Sequence, residues 1–263
     1  MRESLQGKVC IVTGASSGMG AATAVKLASY GVKVVVTGSG NVAGGEATVA
    51  KIKAAGGEAI FVKCNVSVEE DVKNLVETTV KTYGRQDLAF NNAGIGPDGK
   101  RIPFAPLVDF SVKDFDDIVA VNLRGMFLCL KYELQQMLKQ GDGGAIVNTS
   151  SVGGLRMVPG FGAYGPTKAG INAISQTAAL EVGHEGIRVN VVCPGPTLGT
   201  VLMDNNLNSN PDPKEFEKMM ANNAPLGKMG TTEDIANTVC YLLSDLSGHI
   251  TGETFGVCGG MQM

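Results

Sequence analysis

Tryptophan is absent from this chain, and only two histidines, His184 and His249, occur in its 263 residues. The six cysteines (Cys10, Cys64, Cys129, Cys193, Cys240, Cys258) are scattered and never spaced C-x-x-C. That combination offers no ligand set for a zinc site, so no metal is expected. The same scatter predicts reduced, mostly buried thiols and a cytoplasmic setting. No run of about eighteen apolar residues is present, which excludes an expected spanning helix. Residues 1–8 also lack an apolar stretch of signal-peptide length. Basic blocks are missing as well: 22 lysines and arginines are interspersed with 25 acidic residues, for a net charge of −3. Neither nucleic acid nor an anionic membrane is therefore an expected partner. One more gap is local: no aspartate or glutamate occurs between Ala21 and Gly45.

What is present is apolar material, 44% of residues, dealt out in short β-branched runs that alternate with helical patterns. The runs at 9–13, 33–37, 59–63, 87–91, 145–149, 188–193 and 254–257 read as strands covered on both faces. Amphipathic stretches at 18–30, 69–83, 111–139 and 164–185 lie between them. Ser111 with Asp114, and Thr231 with Asp234, have capping-box spacing. Strict alternation predicts an α/β fold: one doubly wound Rossmann domain over residues 1–263, with a parallel sheet and helices on both faces. Residues 196–225 break the rhythm with a long connection containing Leu202, Met203, Phe216, Met219 and Met220. Following a strand's carboxyl end, it reads as a substrate lid.

Gly14, Ser16, Ser17, Gly18, Met19 and Gly20 follow the first strand and open the first helix. Glycines there allow a tight turn and let backbone N–H groups approach a pyrophosphate at the helix's positive end. After the second strand, the turn Thr37-Gly38-Ser39-Gly40-Asn41 holds neither the carboxylate that favours NAD nor an arginine for NADP. Without a carboxylate to repel a 2′-phosphate, and with Ser39 and Asn41 to donate to it, NADP(H) is favoured over NAD(H).

Tyr164 and Lys168 stand four residues apart at the start of a helix. An ammonium beside a phenol favours the phenolate and makes it a general acid or base. Ser151, thirteen residues earlier at a strand end, either hydrogen-bonds a substrate oxygen or satisfies nearby backbone. Asn91-Asn92-Ala93-Gly94 ends the fourth strand at the expected switch point. Asn122, inside an otherwise apolar helix, is either a core clamp or part of a proton path.

With Thr13-Gly14-x-x-x-Gly18-x-Gly20, Tyr164-x-x-x-Lys168 and Pro194-Gly195, these residues make the chain resemble the short-chain dehydrogenase/reductase family over residues 7–260. The resemblance implies that Tyr164 is the acid/base and that Ser151 orients the substrate carbonyl. It implies that Lys168 lowers the tyrosine pKa and binds the nicotinamide ribose, and that Asn122 holds a relay water. Asn92 would stabilise the central strands, Ala93 and Gly94 would line the adenosine side, and Pro194 and Gly195 would meet the nicotinamide, with Thr197 nearby as a further cofactor-binding residue. A sheet of seven strands and a homotetramer are also implied. Three positions depart from the family pattern: Asn65, followed by Val66, replaces an aspartate that touches adenine; Gly199 stands at a usual threonine spacing; and Cys258 replaces an aspartate.

The expected reaction is hydride transfer between nicotinamide and a secondary alcohol or ketone. Met157, Phe161 and Met203, with Ser151 and Tyr164, are the expected substrate contacts. Because methionine adapts to irregular apolar shapes, a bulky apolar substrate such as a steroid or cyclic ketone is expected. Two alternatives remain open. A 3-oxoacyl-[acyl-carrier-protein] reductase would need docking cations, for which the segment after Asn122 offers Arg124, Lys131 and Lys139. A dinucleotide sensor without turnover would need none of the proton-transfer residues.

Overall fold

Valine-rich runs and glycine-led helices set the architecture of the computed structural model, which describes residues 1–261. The chain passes through α1 (Arg2–Leu5), β1 (Val9–Val12), α2 (Gly18–Ser29), β2 (Lys33–Gly38), α3 (Val42–Ala54) and β3 (Ala59–Lys63). It continues through α4 (Glu69–Tyr83), β4 (Leu88–Asn91), α5 (Val112–Ile118), α6 (Gly125–Gln140), β5 (Gly144–Thr149) and α7 (Tyr164–Val182). The last part runs β6 (Ile187–Pro194), β7 (Thr197–Leu198), α8 (Val201–Ser209), α9 (Pro213–Asn222), β8 (Gly230–Thr231), α10 (Thr232–Leu243) and β9 (Thr254–Val257).

Seven strands form one parallel sheet in the order β3-β2-β1-β4-β5-β6-β9, as the strand–helix alternation implies. The order reverses between β1 and β4, where Cys10, Ile11 and Val12 pair with Leu88, Ala89 and Phe90. Successive strand residues serve opposite faces. Cys10, Val12, Val34, Val36 and Phe90 pack with Leu27 of α2, Ile52 of α3 and Val239 of α10. Ile11 and Val35 pack with Leu75 of α4 and Leu128 of α6, while Ala89 and Ile146 meet Met126 and Ile171. Every one of these side chains is at least nine-tenths buried, which explains why the strands read as continuous apolar runs.

One polar thread crosses the second face. Asn91 Nδ2 donates to Glu133 Oε2 at 2.8 Å and to Asn148 Oδ1 at 3.1 Å, and Asn148 Nδ2 donates to Ser175 Oγ at 2.8 Å. These residues, from β4, α6, β5 and α7, are almost wholly buried.

Several boundaries differ from the sequence expectation. The 196–225 connection is not an unstructured loop: it contains β7, α8 and α9. Thr200 caps α8 by accepting from Met203 N at 3.3 Å, and Asp212 caps α9 with Pro213 in its first turn. The 111–139 helix is α5 and α6 joined by a π-helical stretch, Val119–Arg124, which is where Asn122 turns inward. The 164–185 helix stops at Val182, and its last residues tighten into a 3₁₀ turn before Gly186 at φ 73°. Strand ends move by a residue or so: β1 and β4 lose Thr13 and Asp87, whereas β2, β5 and β6 extend to Gly38, Gly144 and Ile187–Pro194. Asp87 precedes β4 with its backbone still bonded to both neighbours, N–H to Val9 O at 3.0 Å and O from Ala145 N at 3.1 Å, while its carboxylate accepts from Val9 N at 2.8 Å and pairs with Arg85. Ser111 caps α5 by accepting from Asp114 N, whereas the full capping box forms only at Thr231 and Asp234.

Candidate active site

Beyond the carboxyl ends of β1, β4, β5 and β6 the sheet opens into a crevice of about 1240 Å³. Its floor is a close approach of backbones. A Cβ on Gly14 would lie 2.9 Å from Ala93 Cα, and one on Gly20 would lie 2.5 Å from Gly14 O. Gly14 also has φ 64° and Gly18 φ 57°, values that favour glycine. Asn92 locks this floor: its Nδ2 donates to Thr13 O and Gly14 O, both at 3.2 Å, and its N–H donates to Thr13 Oγ1 at 2.9 Å. The first turn of α2 holds no acidic residue, so its positive end is uncompensated.

Most residues expected at a cofactor line this crevice: Gly14, Ser16, Ser17, Gly18, Met19, Gly38, Ser39, Asn65, Val66, Asn92, Ala93, Gly94, Pro194, Gly195 and Thr197. Gly20 does not; it lies beneath, where its missing side chain lets α2 meet the floor. Asn65 spends its Oδ1 on Ser67 N and Oγ, at 3.1 and 2.8 Å. Asn41 spends its Oδ1 on the N-terminus of α3, accepting from Gly44 N at 3.0 Å. Ser16 Oγ, Asn92 Oδ1 and Thr149 Oγ1 are buried in the wall with no protein partner. Close glycine backbones, a helix N-terminus and three unpartnered polar atoms suit a ligand with phosphate and ribose groups.

On the opposite wall Ser151, Tyr164 and Lys168 converge, carried by the end of β5 and the first turns of α7. Lys168 Nζ donates to Thr149 O at 2.9 Å and stands 5.6 Å from the centre of the Tyr164 ring. A Cβ on Gly153 would be 3.5 Å from both Ser151 Oγ and Tyr164 Cε1, so those two side chains flank one small space. Ser151 Oγ accepts from Gly153 N at 3.0 Å. Burial pushes the Tyr164 phenol above its ordinary value, while the Ser151 hydroxyl draws it down. Burial also lowers Lys168 to about 8. Enclosure disfavours the charged form of both groups, so the phenol stands above its ordinary value and holds its proton at neutral pH.

Asn122 is fully buried, and its amide is clamped on loop backbone: Oδ1 accepts from Ile95 N and Nδ2 donates to Ile95 O, each at 2.8 Å. Of the expected substrate contacts, Phe161 and Met203 line the crevice with Ser151 and Tyr164. Met157 lies outside it, half exposed, with its Sδ against Gly165, and Val158 takes the inward place. Met219 likewise faces away, while Met220 and Phe216 line the cavity. The segment after Gly94 adds to the site beyond the sequence expectation: Ile95, Gly99 and Arg101 line the crevice too, and a Cβ on Gly96 would lie 2.5 Å from the Tyr164 ring. The Gly94-x-Gly96-x-x-Gly99 spacing was the available signal, since repeated glycines mark close backbone approach.

Among the described residues no group of three or more metal-ligating side chains occurs, and no helix is long and apolar enough to cross a membrane. Five of the six cysteines are buried, and all six are free.

A family model described as enoyl-(acyl carrier protein) reductase matches residues 14–262. An oxidoreductase of Thermotoga maritima, described as uncharacterized, is 40% identical over 97% of each chain. A 3-oxoacyl-[acyl-carrier-protein] reductase of Synechocystis sp. is 39% identical over 98% of each. Two solved structures superpose with a TM-score of 0.90 at 34% identity. One is a levodione reductase, covering 98% of both chains. The other is an NAD+-bound xylitol dehydrogenase, covering 97% of this chain and 99% of its own. The glycine turn at the sheet's switch point, the Ser–Tyr–Lys wall and these likenesses agree: the chain belongs to the short-chain dehydrogenase/reductase family of nicotinamide-dependent oxidoreductases.

Proposed function

We propose that the protein interconverts a secondary alcohol and its ketone, with Tyr164 passing the proton, Ser151 orienting the oxygen and Lys168 supporting both. The observation that carries this reading is the convergence of Ser151, Tyr164 and Lys168 on one wall of the crevice that the glycine turn opens. When bound, the nicotinamide supplies or accepts the hydride. Everything else falls to the chain. Gly14 to Met19 would hold the pyrophosphate, the unpartnered Thr149 and Asn92 oxygens would be available to the ribose, and Asn122 fixes the loop at Ile95. Because enclosure keeps the Tyr164 phenol protonated at neutral pH, it is poised to donate as negative charge develops on a ketone oxygen.

Lys168 then sets a pH limb. Its ammonium is present below about 8 and lost above it. Ketone reduction is expected to be level from pH 6 to 7.5 and to fall roughly tenfold per pH unit beyond about 8, read as kcat/KM. A level profile to pH 10 would free the reaction from that ammonium.

NADP(H) is the proposed cofactor. At the adenosine end the rim is Gly38, Ser39, Gly40 and Asn41, with no carboxylate to repel a 2′-phosphate and the Ser39 hydroxyl and Asn41 Nδ2 as donors. Fluorescence titration is expected to give NADPH about fivefold tighter binding than NADH, the worth of one hydrogen bond. Tighter NADH binding reverses the assignment.

The proposed substrate has a bulky apolar body, such as a steroid or cyclic ketone, against Phe104, Val158, Phe161, Leu202, Phe216 and Met220. The Synechocystis relative supports a second reading, reduction of a 3-oxoacyl group on a carrier protein. Two of the three cations suited to docking are already engaged, Lys131 with Glu69 and Arg124 with Ser67 O. Comparing free cyclic ketones with carrier-linked 3-oxoacyl substrates separates the two. The same proposal includes a cytoplasmic homotetramer joined through α6 and α7, which expose Phe127, Leu138 and Leu180.

A further inference from the structure

Asp98 is completely buried although it sits in a loop. Its own N–H and that of Gly99 donate to Ile102 O at 3.1 and 3.2 Å, closing a tight turn. The carboxylate folds back into that turn. Oδ1 accepts from the backbone N–H groups of Lys100, Arg101 and Ile102 at 3.0, 2.7 and 3.3 Å, and Oδ2 accepts from Arg101 Nε at 2.9 Å. One further donor, Asn205 Nδ2 at 2.9 Å from Oδ2, arrives from α8, 107 positions along the chain. Burial alone pushes this carboxyl up, yet the Arg101 backbone and guanidinium, the Asn205 amide and the Lys100 backbone together hold it below the ordinary carboxylate range. It is therefore a fixed anion, and among the described residues Asn205 is its sole partner outside the turn.

The helix that Asn205 belongs to is otherwise held by its Thr200 cap and by Met203, with Leu202, Asn206 and Leu207 half-buried. Of the nine residues of α8, only Met203 is buried. Yet α8 forms the roof over the reacting wall. Leu202 Cδ1 lies 3.3 Å from the point where a Cβ on Gly96 would lie, and the Tyr164 ring is 2.5 Å from the same point. Ser209, at the other end of the helix, stands 3.5 Å from the corresponding point on Gly99. Asn206, next to the anchoring amide, lines the crevice with a buried Oδ1 that has no protein partner.

We propose that Asp98 and Asn205 are positioning residues of the substrate site, and that their hydrogen bond sets the rotation of α8 and so the placement of Leu202 and Asn206 over Tyr164. This rests on the alcohol–ketone reading for its kinetic consequences, but not for its structural ones. Ser151, Tyr164 and Lys168 are carried by β5 and α7 and take no hydrogen bond from α8. Loosening α8 therefore disturbs the fit of the substrate and leaves the proton-transfer group and the nucleotide floor in place.

The test is a swap. Asn205→Ala, on a half-exposed helix where folding is not at stake, is expected to raise substrate KM at least about tenfold, the effect of losing one hydrogen bond to a charged group. Its kcat should stay within about twofold and its NADPH affinity should not change. Amide hydrogen exchange across residues 201–209 should accelerate. Asn205→Asp sets a second carboxylate against Asp98 and should do more damage on both measures. Adding Asp98→Asn to Asn205→Asp removes the like-charge contact and lets the new amide donate to the new carboxylate at the loss of the Arg101 Nε acceptor, and should return exchange protection and KM part of the way toward the parent. Unchanged exchange in Asn205→Ala, or a double variant no better than Asn205→Asp, overturns the proposal. A parent protein that turns over no alcohol or ketone would instead defeat the reading it builds on, with the exchange result still deciding whether the anchor exists.

Discussion

Tyr164→Phe is expected to lower turnover at least about a hundredfold while leaving dinucleotide affinity within about twofold, as loss of a general acid does. The ring itself is held by packing rather than by its hydroxyl. Phe161 packs against it tilted at 51° with 5.8 Å between ring centres, Lys168 Nζ stands 5.6 Å away, and Gly96 leaves the space the ring fills. Phenylalanine keeps all of that, so the melting temperature should move little. What disappears is the one oxygen that faces Ser151 and can donate a proton at neutral pH. Removing only the proton donor should leave KM nearly constant and put the loss in kcat. Stopped-flow or steady-state oxidation of NADPH with a reactive ketone reads the effect directly. Turnover near that of the parent would take Tyr164 out of the mechanism and pass the task to ordered water. A parallel loss of NADPH binding would mean that the ring, rather than its hydroxyl, matters.

The residues that made this site legible are those whose identity is dictated by a backbone constraint. Gly14 and Gly18 need positive φ, Gly20 must admit the floor beneath α2, and Lys168 must fall one turn after Tyr164 to reach Thr149 O. Such constraints act over a few neighbours, so they survive as spacings in the chain. The sheet was legible for a related reason: strands buried on both faces have nothing polar to interrupt them.

What stayed hidden depends on contacts across long separations. Nothing near Asp98 in the sequence announces Asn205, 107 residues away, so the roof over the crevice read as a loop. α8 (VLMDNNLNS) is rich in asparagine, a weak helix former, and only its Thr200 cap marks where it starts. α3 carries glycines at 44 and 45 that lower its helix propensity, yet Gly45 is what admits the Phe61 ring. Met157 is near Ser151 in sequence, but the turn between them sends it outward to Gly165. Helical spacing brings the ammonium close to the phenol, while the enclosure that seats it withholds the water that would stabilise charge on either group.

Glu133 gives the other large effect, on stability rather than on turnover. It lies on α6 beneath the sheet, 1% exposed, with one hydrogen bond, from Asn91 Nδ2 at 2.8 Å. Burial raises its carboxyl to about 8, and the Asn91 amide offsets only part of that. The folded pKa thus stands above the ordinary glutamate value of 4.5. Below the ordinary value both folded and unfolded chains carry the proton, and the residue imposes no penalty. Between that value and about 8 the unfolded chain releases a proton that the folded one keeps, so stability falls as pH rises. By pH 8 the accumulated loss is roughly 4 kcal/mol, at 1.36 kcal/mol for each unit of separation. Glu133→Gln keeps an oxygen to accept from Asn91 and cannot ionise. It is expected to match the parent at pH 5 within about 2 °C and to melt roughly 8 °C higher at pH 8, given two or more degrees per kcal/mol for a chain of this length. Lys168 titrates in the opposite sense: its lowered value makes the fold gain stability above about 8, up to the ordinary lysine range. Comparing pH 5 with pH 8 keeps that contribution nearly constant. Equal melting temperatures for parent and Glu133→Gln at pH 8 would mean that water or a counter-charge reaches the carboxylate beneath the sheet, and that the Asn91–Asn148–Ser175 thread carries an anion without cost.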